Sequence, residues 1–260
     1  MTELINDLRS TARVRGRQRF VALGLALVLL AVVLIGFGPT IYFRAWFPRP
    51  PGMDAVLPWS LRIHGSVLTA WFLLLIVQSG LIRAGKHSWH RHFGVIGAAL
   101  LVLVIASSVW VMRGFGPRVA STGMDLTPMI PMLSQLYWID NFSLVLMIVL
   151  VGTALIWRRK SQIHWRLMLT ASTLMTVPAL GRMSGQPWLS NTGWPDLPLT
   201  MALLLGLLLI LPIHDLVRHR RILTVTWISA VSVFGCMLAA LYIGGSEFGQ
   251  RLAWSGLGAA

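Results

Sequence analysis

Six of the seven histidines, His87, His90, His92, His164, His214 and His219, fall in short stretches that also carry arginine or lysine. Imidazole is the commonest side-chain ligand of transition metals and a frequent axial ligand of haem iron. Two chemistries follow from these positions. A haem b would take His90 or His92 on one side and His164 on the other. A divalent metal would take His90, His164 and Asp215, with the Asp215 carboxylate alternatively orienting an imidazole as its hydrogen-bond acceptor. The run HSWHRH over 87–92 lacks the i, i+4 histidines of HExxH, and there is no repeated set of histidine boxes. With Arg91 and Arg166 beside them, the same histidines also suit an interfacial belt against lipid headgroups and last-turn carbonyls.

A second constellation comprises His64, Asp140 and Arg182, with Arg62 and Asn141 nearby in sequence. Ionisable groups at or within apolar segments are costly unless they pair or face a cavity. The three are read as a site for a small polar or anionic ligand, or else as a helix-pairing network. Gln78 joins the ligand-binding set. It is read as sharing one helix face with Ser66 and Thr69, at spacings of three and nine.

Several chemistries have no positive support. The chain holds no Walker loop, GxSxG elbow, glycine-rich dinucleotide fingerprint or paired intramembrane carboxylates. Its single cysteine, Cys236, excludes an intrachain disulfide and a CxxC pair and reads as a small packing residue.

The elements that position these residues are apolar. Hydrophobic residues make up 56% of the 260, charged residues 12%, and mean hydropathy is +0.72; soluble domains average roughly 25% charged. An all-α polytopic membrane protein is the class that fits. Seven apolar segments are expected as transmembrane helices: Phe20–Gly38, Leu61–Ile82, Phe93–Met112, Leu136–Ile156, Leu167–Leu180, Leu197–Ile213 and Leu223–Ile243. The fifth reaches span length only if it continues through Gly181–Gly185, with a kink near Pro178. The first is too long for a signal-peptide core and is expected to be a retained anchor. The long outer connections, Pro39–Ser60 and Arg113–Gln135, are rich in Pro and Gly and suit short re-entrant or interfacial caps.

Basic residues alternate between the gaps. The N-terminal tail (Arg9, Arg13, Arg15, Arg17, Arg19) and every second gap after it (Arg83, Lys86, Arg91; Arg158, Arg159, Lys160, Arg166; Arg218, Arg220, Arg221) hold fifteen, against seven on the opposite side. The positive-inside rule then places the N-terminus in the cytoplasm and, after seven crossings, the C-terminus outside. The expected division is a basic cytoplasmic tail over 1–19, a transmembrane domain over 20–243 and a short periplasmic tail over 244–260. This asymmetry also accounts for the net charge of +14 without nucleic acid as a partner. The expected partners are the lipid bilayer and anionic headgroups at the cytoplasmic face, and a homo-oligomer is compatible with the sequence.

The second and third segments, and the fourth and fifth, form two similar hairpins in which His64 aligns with Asp140 and His90 with His164. A parallel duplication and a chance likeness of two helical hairpins both fit that alignment.

The motifs IYFRAWF (41–47), IHGSVLTAWFLLLIVQSGLI (63–82), WHRHFG (89–94), YWIDNF (137–142), IHWRLMLTAS (163–172), ALGR (179–182) and HDLVRHRR (214–221) resemble a widespread group of bacterial multi-pass membrane proteins of unknown function. The resemblance covers roughly residues 40 to 222. It implies that His64, Trp71, Gln78, His90, Arg91, Gly94, Asp140, His164, Arg166, Met168, Arg182 and Asp215 match that group's pattern, while His214 stands where an aromatic residue is usual. A looser similarity is to the diheme transmembrane cytochromes b. Those carry a histidine pair near each membrane face, so the lone outer His64 leaves an inner haem as what the similarity implies.

The expected protein is thus a bacterial inner-membrane bundle that binds haem b or a metal through cytoplasmic-side histidines in a redox role. The alternative is a non-enzymatic transporter, sensor or assembly protein with an outer His–Asp–Arg ligand site. A membrane hydrolase using a histidine-bound zinc ranks third, since apart from Asp215 no evident catalytic acid lies on the histidines' face.

Overall fold

The computed structural model describes the backbone of residues 2–47, 56–121, 127–191 and 193–256, and among these no strand occurs. Arg49 and the side chains of the N-terminal arginines lie outside the described residues. In chain order the α-helices are α1 (Thr2–Phe37), α2 (Trp59–Arg83), α3 (His87–Arg113), the short α4 (Phe115–Ala120), α5 (Ile130–Ile156), α6 (Ser161–Leu174), α7 (Val177–Ser184), the one-turn α8 (Pro187–Ser190), α9 (Asp196–His219), α10 (Thr224–Gly245) and α11 (Glu247–Gly256). Among the described residues, six stretches are long and apolar enough to cross a bilayer: Phe20–Tyr42, Trp59–Arg83, His87–Arg113, Thr127–Ile156, Asp196–His219 and Thr224–Gly245. Such a bundle is the architecture of a multi-pass integral membrane protein, because a helix pairs its backbone polar groups within the segment.

The fifth apolar segment is divided. α6 stops after Leu174, and α7 starts at Val177 with Pro178 in its first turn, where a missing N–H costs no hydrogen bond. Thr176 holds the joint: its hydroxyl donates to the Thr173 carbonyl, and its own carbonyl accepts from Ala179 and Leu180. Helix also continues to Ser184, as the sequence requires if this segment is to reach span length.

The basic gaps contract. α3 begins at His87 and α9 runs past Pro212 to His219, so the histidines stand on helix ends instead of in loops. The turns need left-handed backbone at two points, Gly85 (φ 73°) before α3 and Arg220 (φ 54°) after α9. On the opposite side, a π-helical turn (Gly38–Tyr42), single 3-10 turns (Arg44–Trp46 and Thr127–Met129) and α4 and α8 cap the bundle.

α1 lies against α2 and α7, α2 pairs with α3, α5 packs between α10 and α6, and α7 meets α9. Leu25, Leu29, Phe72, Met147, Leu169, Leu174 and Met237 fill the interior, and Cys236 packs at its edge. Val95, Val102, Val145, Val217 and Tyr242 are exposed, as lipid-facing positions must be. Two glycines set helix spacing. A Cβ on Gly36 would stand 2.8 Å from the Ala179 Cα, and one on Gly244 would stand 2.6 Å from the Gln135 Cα.

Candidate functional site

At the end of the bundle where α3 and α6 begin, His90 and His164 occupy the first turn of their helices. Their rings face each other edge to plane, with centroids 6.4 Å apart at 88°. His164 Nδ1 is 2.9 Å from the Ala154 carbonyl at the end of α5. A carbonyl accepts only, so the neutral His164 ring carries its proton on Nδ1 and keeps a lone pair on Nε2. His90 Nδ1 is buried without a hydrogen-bond partner, and so is Gln78 Oε1 on α2. Gln78 lies opposite Gly94, where a Cβ would stand 3.7 Å from Gln78 Nε2, an ordinary contact distance. His92 does not join the pair. It is exposed, with Nδ1 2.9 Å from the Ser88 carbonyl one turn back and its ring beside Trp89.

Asp215 has other partners. Its Oδ1 accepts from Arg166 Nη2 at 2.5 Å, with both side chains fully buried. Its Oδ2 accepts from the Thr226 hydroxyl at 2.5 Å and from the Leu223 N–H at 3.2 Å. Arg166 Nη1 donates to the Gln162 carbonyl (3.0 Å) and side-chain oxygen (2.5 Å), and the guanidinium carbon lies 4.3 Å from the Trp165 ring. One carboxylate therefore ties α6, α9 and the start of α10 together. The structure does not bring His90, His164 and Asp215 into one ligand set, and among the described residues no group of three His, Cys, Asp or Glu could hold a metal. His214 packs on Trp165 and His219, and its Nδ1 lies 3.4 Å from Asp215 Oδ1. Thr226 and Gln162 are members of this cluster that sequence reasoning missed. The i, i+4 spacing of Gln162 and Arg166 was the available signal.

At the opposite end His64 has a partner of its own on a neighbouring helix. His64 Nδ1 is 3.1 Å from the Ser107 hydroxyl of α3, and Ser107 donates in turn to the Val104 carbonyl. Asn141 donates to the Tyr137 carbonyl within its own helix. Asp140 and Arg182 act on each other electrostatically but form no ion pair within 4 Å among the described residues. Both side chains are exposed. The Arg182 guanidinium carbon lies 4.5 Å from the Phe37 ring, and its Nη1 donates to the Pro178 carbonyl at 2.9 Å.

The shared face read for Ser66, Thr69 and Gln78 needs correction. Nine residues turn a helix by about half a revolution, so Thr69 and Gln78 point opposite ways. Ser66 and Thr69 line an open groove of about 710 Å³ with Tyr42 and Arg62, where the Tyr42 and Thr69 hydroxyls meet at 2.6 Å. The inward face of α2 instead carries His64, Trp71 and Gln78, seven residues apart. Trp71 is buried and donates from Nε1 to the Ser172 hydroxyl of α6 at 3.1 Å. Gln78 stands about 21 Å along the axis from His64 and belongs with His90.

Comparison with protein-family models, curated proteins and solved structures found no match for this chain. Fold and site define it as an all-helical bundle with the build of a multi-pass membrane protein.

Proposed function

We propose that the protein is a bacterial inner-membrane redox protein that binds haem b through His90 and His164, with seven crossings and a cytoplasmic N-terminus. The seventh crossing would be α6 and α7 together, whose 14 and 8 residues span 161–184 with the joint between them. The positive-inside count sets the orientation, and the likeness to the bacterial multi-pass group belongs to the same proposal.

The observation that carries the haem reading is the 6.4 Å separation of the two rings. His90 and His164 would hold the iron between two helix ends, since their rings already stand side by side without a competing acidic partner among the described residues. The two histidines come from different hairpins, and the Ala154 carbonyl at His164 Nδ1 would leave Nε2 as the coordinating atom. The unpartnered His90 Nδ1 supports the reading as well, since a buried ring nitrogen without a partner is costly. A haem held this way supplies one-electron transfer. The exposed Arg91 stands one residue from His90 and offers a cation to an anionic edge of the bound group.

The test is the absorbance spectrum of the full chain purified in detergent. A Soret band that His90→Ala and His164→Ala each abolish, and that His92→Ala leaves intact, is the expected result. The absence of a Soret band after expression with haem supplied would overturn the reading.

A further inference from the structure

The open groove of about 710 Å³ between α2 and the turns that follow α1 lies at the end of the bundle opposite the histidine pair and is independent of the haem reading. Four of its lining residues, Arg62, Ser66, Thr69 and Leu73, recur along α2 at spacings of four, three and four, so they form one stripe about 16 Å long. That stripe is graded, from a cation through two hydroxyls to a leucine. Arg62 is exposed and held from behind: its Nε donates to the Leu57 carbonyl at 2.7 Å, and its guanidinium carbon lies 5.0 Å from the Trp59 ring. The remaining N–H groups of this guanidinium donate to no described residue. Arg44 lines the same groove, and no acid does so among the described residues. Trp46 and Trp59, close to the two arginines in the chain, are both exposed, as tryptophans at headgroup depth are. One level down, Thr69 donates to the Gly65 carbonyl at 2.7 Å, so Tyr42 is the donor in the 2.6 Å contact between the Tyr42 and Thr69 hydroxyls. Ser66 is exposed, and its hydroxyl has no partner among the described residues. An uncommitted hydroxyl on a face turned to lipid is costly unless the occupant brings an acceptor. Ser66 stands about 6 Å along the axis from Arg62, and the headgroup layer on each side of the hydrocarbon core is about 5–7 Å thick. The exposed Leu73 continues the stripe at acyl depth.

We propose that this groove holds one anionic phospholipid, with its phosphodiester at Arg62 and Arg44, its ester oxygens beside Ser66 and an acyl chain along Leu73. Arginine suits the phosphate because its planar fork of donors matches two of the phosphate oxygens. The experiment is photo-cross-linking of the full chain in mixed micelles by trace phosphatidylglycerol that carries a diazirine on one acyl chain. Labelled peptides are mapped by mass spectrometry, with excess phosphatidylglycerol, phosphatidylethanolamine or glycerol 3-phosphate as competitor. Labelling is expected to concentrate on residues 66–73 of α2 and to be competed best by phosphatidylglycerol. Arg62→Gln should weaken it about fivefold, the weight of one arginine at an anionic headgroup. Arg113→Gln, an exposed arginine at the end of α3 outside the groove, should leave it unchanged. Ala70→Phe, which fills the groove and keeps both arginines, should also weaken it. Because a variant can misfold, the labelled positions and the competition in the unmodified chain stand as a test by themselves. Label spread evenly over lipid-facing positions such as Val95 and Val102 would overturn the proposal, as would equal competition by phosphatidylethanolamine. Competition by glycerol 3-phosphate would assign a soluble phosphate ester to the groove in place of a lipid, and equal losses in Arg62→Gln and Arg113→Gln would reduce the effect to general surface charge.

Discussion

Arg166 on α6 and Asp215 on α9 lie 2.5 Å apart with neither side chain exposed, and the second carboxylate oxygen reaches Thr226 on α10. Three helices thereby converge on one charge pair, and neither member can be removed without leaving the other buried without its counter-charge. Asp215→Asn or Arg166→Met is expected to cost about 3–5 kcal/mol. Thermal unfolding in detergent measures it. The double variant Arg166→Met/Asp215→Leu should lose less than the sum of the single losses, and strict additivity would contradict a direct coupling.

The Ala154 carbonyl fixes which nitrogen of His164 is free. His164→Gln is expected to abolish the Soret band while leaving thermal stability within about 1 kcal/mol, because the ring is only partly buried. Retention of the full band would remove His164 as a ligand.

Gly36 and Gly24 lie on the same helix and should behave oppositely. At Gly36 the Ala179 backbone leaves no room for a methyl group, whereas Gly24 has nothing within 4 Å of the position a Cβ would take. Gly36→Ala is expected to destabilise by about 1–3 kcal/mol through forced separation of α1 and α7. Gly24→Ala should be neutral or stabilising by up to about 1 kcal/mol. Comparison of the two Tm values checks both, and a stable Gly36→Ala would show that α1 and α7 are spaced more widely.

The proposed seven crossings and cytoplasmic N-terminus would put the C-terminus outside. A C-terminal alkaline phosphatase fusion is expected to be active and a C-terminal green fluorescent protein fusion dark. Fusions made after Arg159, in the α5–α6 turn, should give the opposite pattern. An active phosphatase at both places would contradict the orientation.

Legibility differed between the fold and the site. Chain-wide apolarity and the fifteen-to-seven split of basic residues are local sums, so the membrane build and the sidedness reading came from composition alone. The shortness of the fifth apolar run likewise pointed to its kink, and α6 and α7 divide there. Helix boundaries were less legible: polar His214 and Asp215 ended the apolar count at Ile213, although α9 runs on to His219 because a helix tolerates polar residues wherever they find partners.

The contacts of the site were decided by tertiary structure. That His90 and His164 could meet was readable from their matching places in two hairpins, and the rings do face one another. Asp215 looked like a third ligand because it is an acid on the same side of the membrane. Only the rotation of α9 against α6 and α10 turns it to Arg166 and Thr226. His64 similarly turns to Ser107, and Gln78 faces Gly94 at the far end of its helix. Hydrophobicity and charge add residue by residue along a chain, so sequence determined where this protein sits. A side chain's partner depends on helix rotation and spacing, which close packing of all the helices sets together, so which residues share a site was left to the fold.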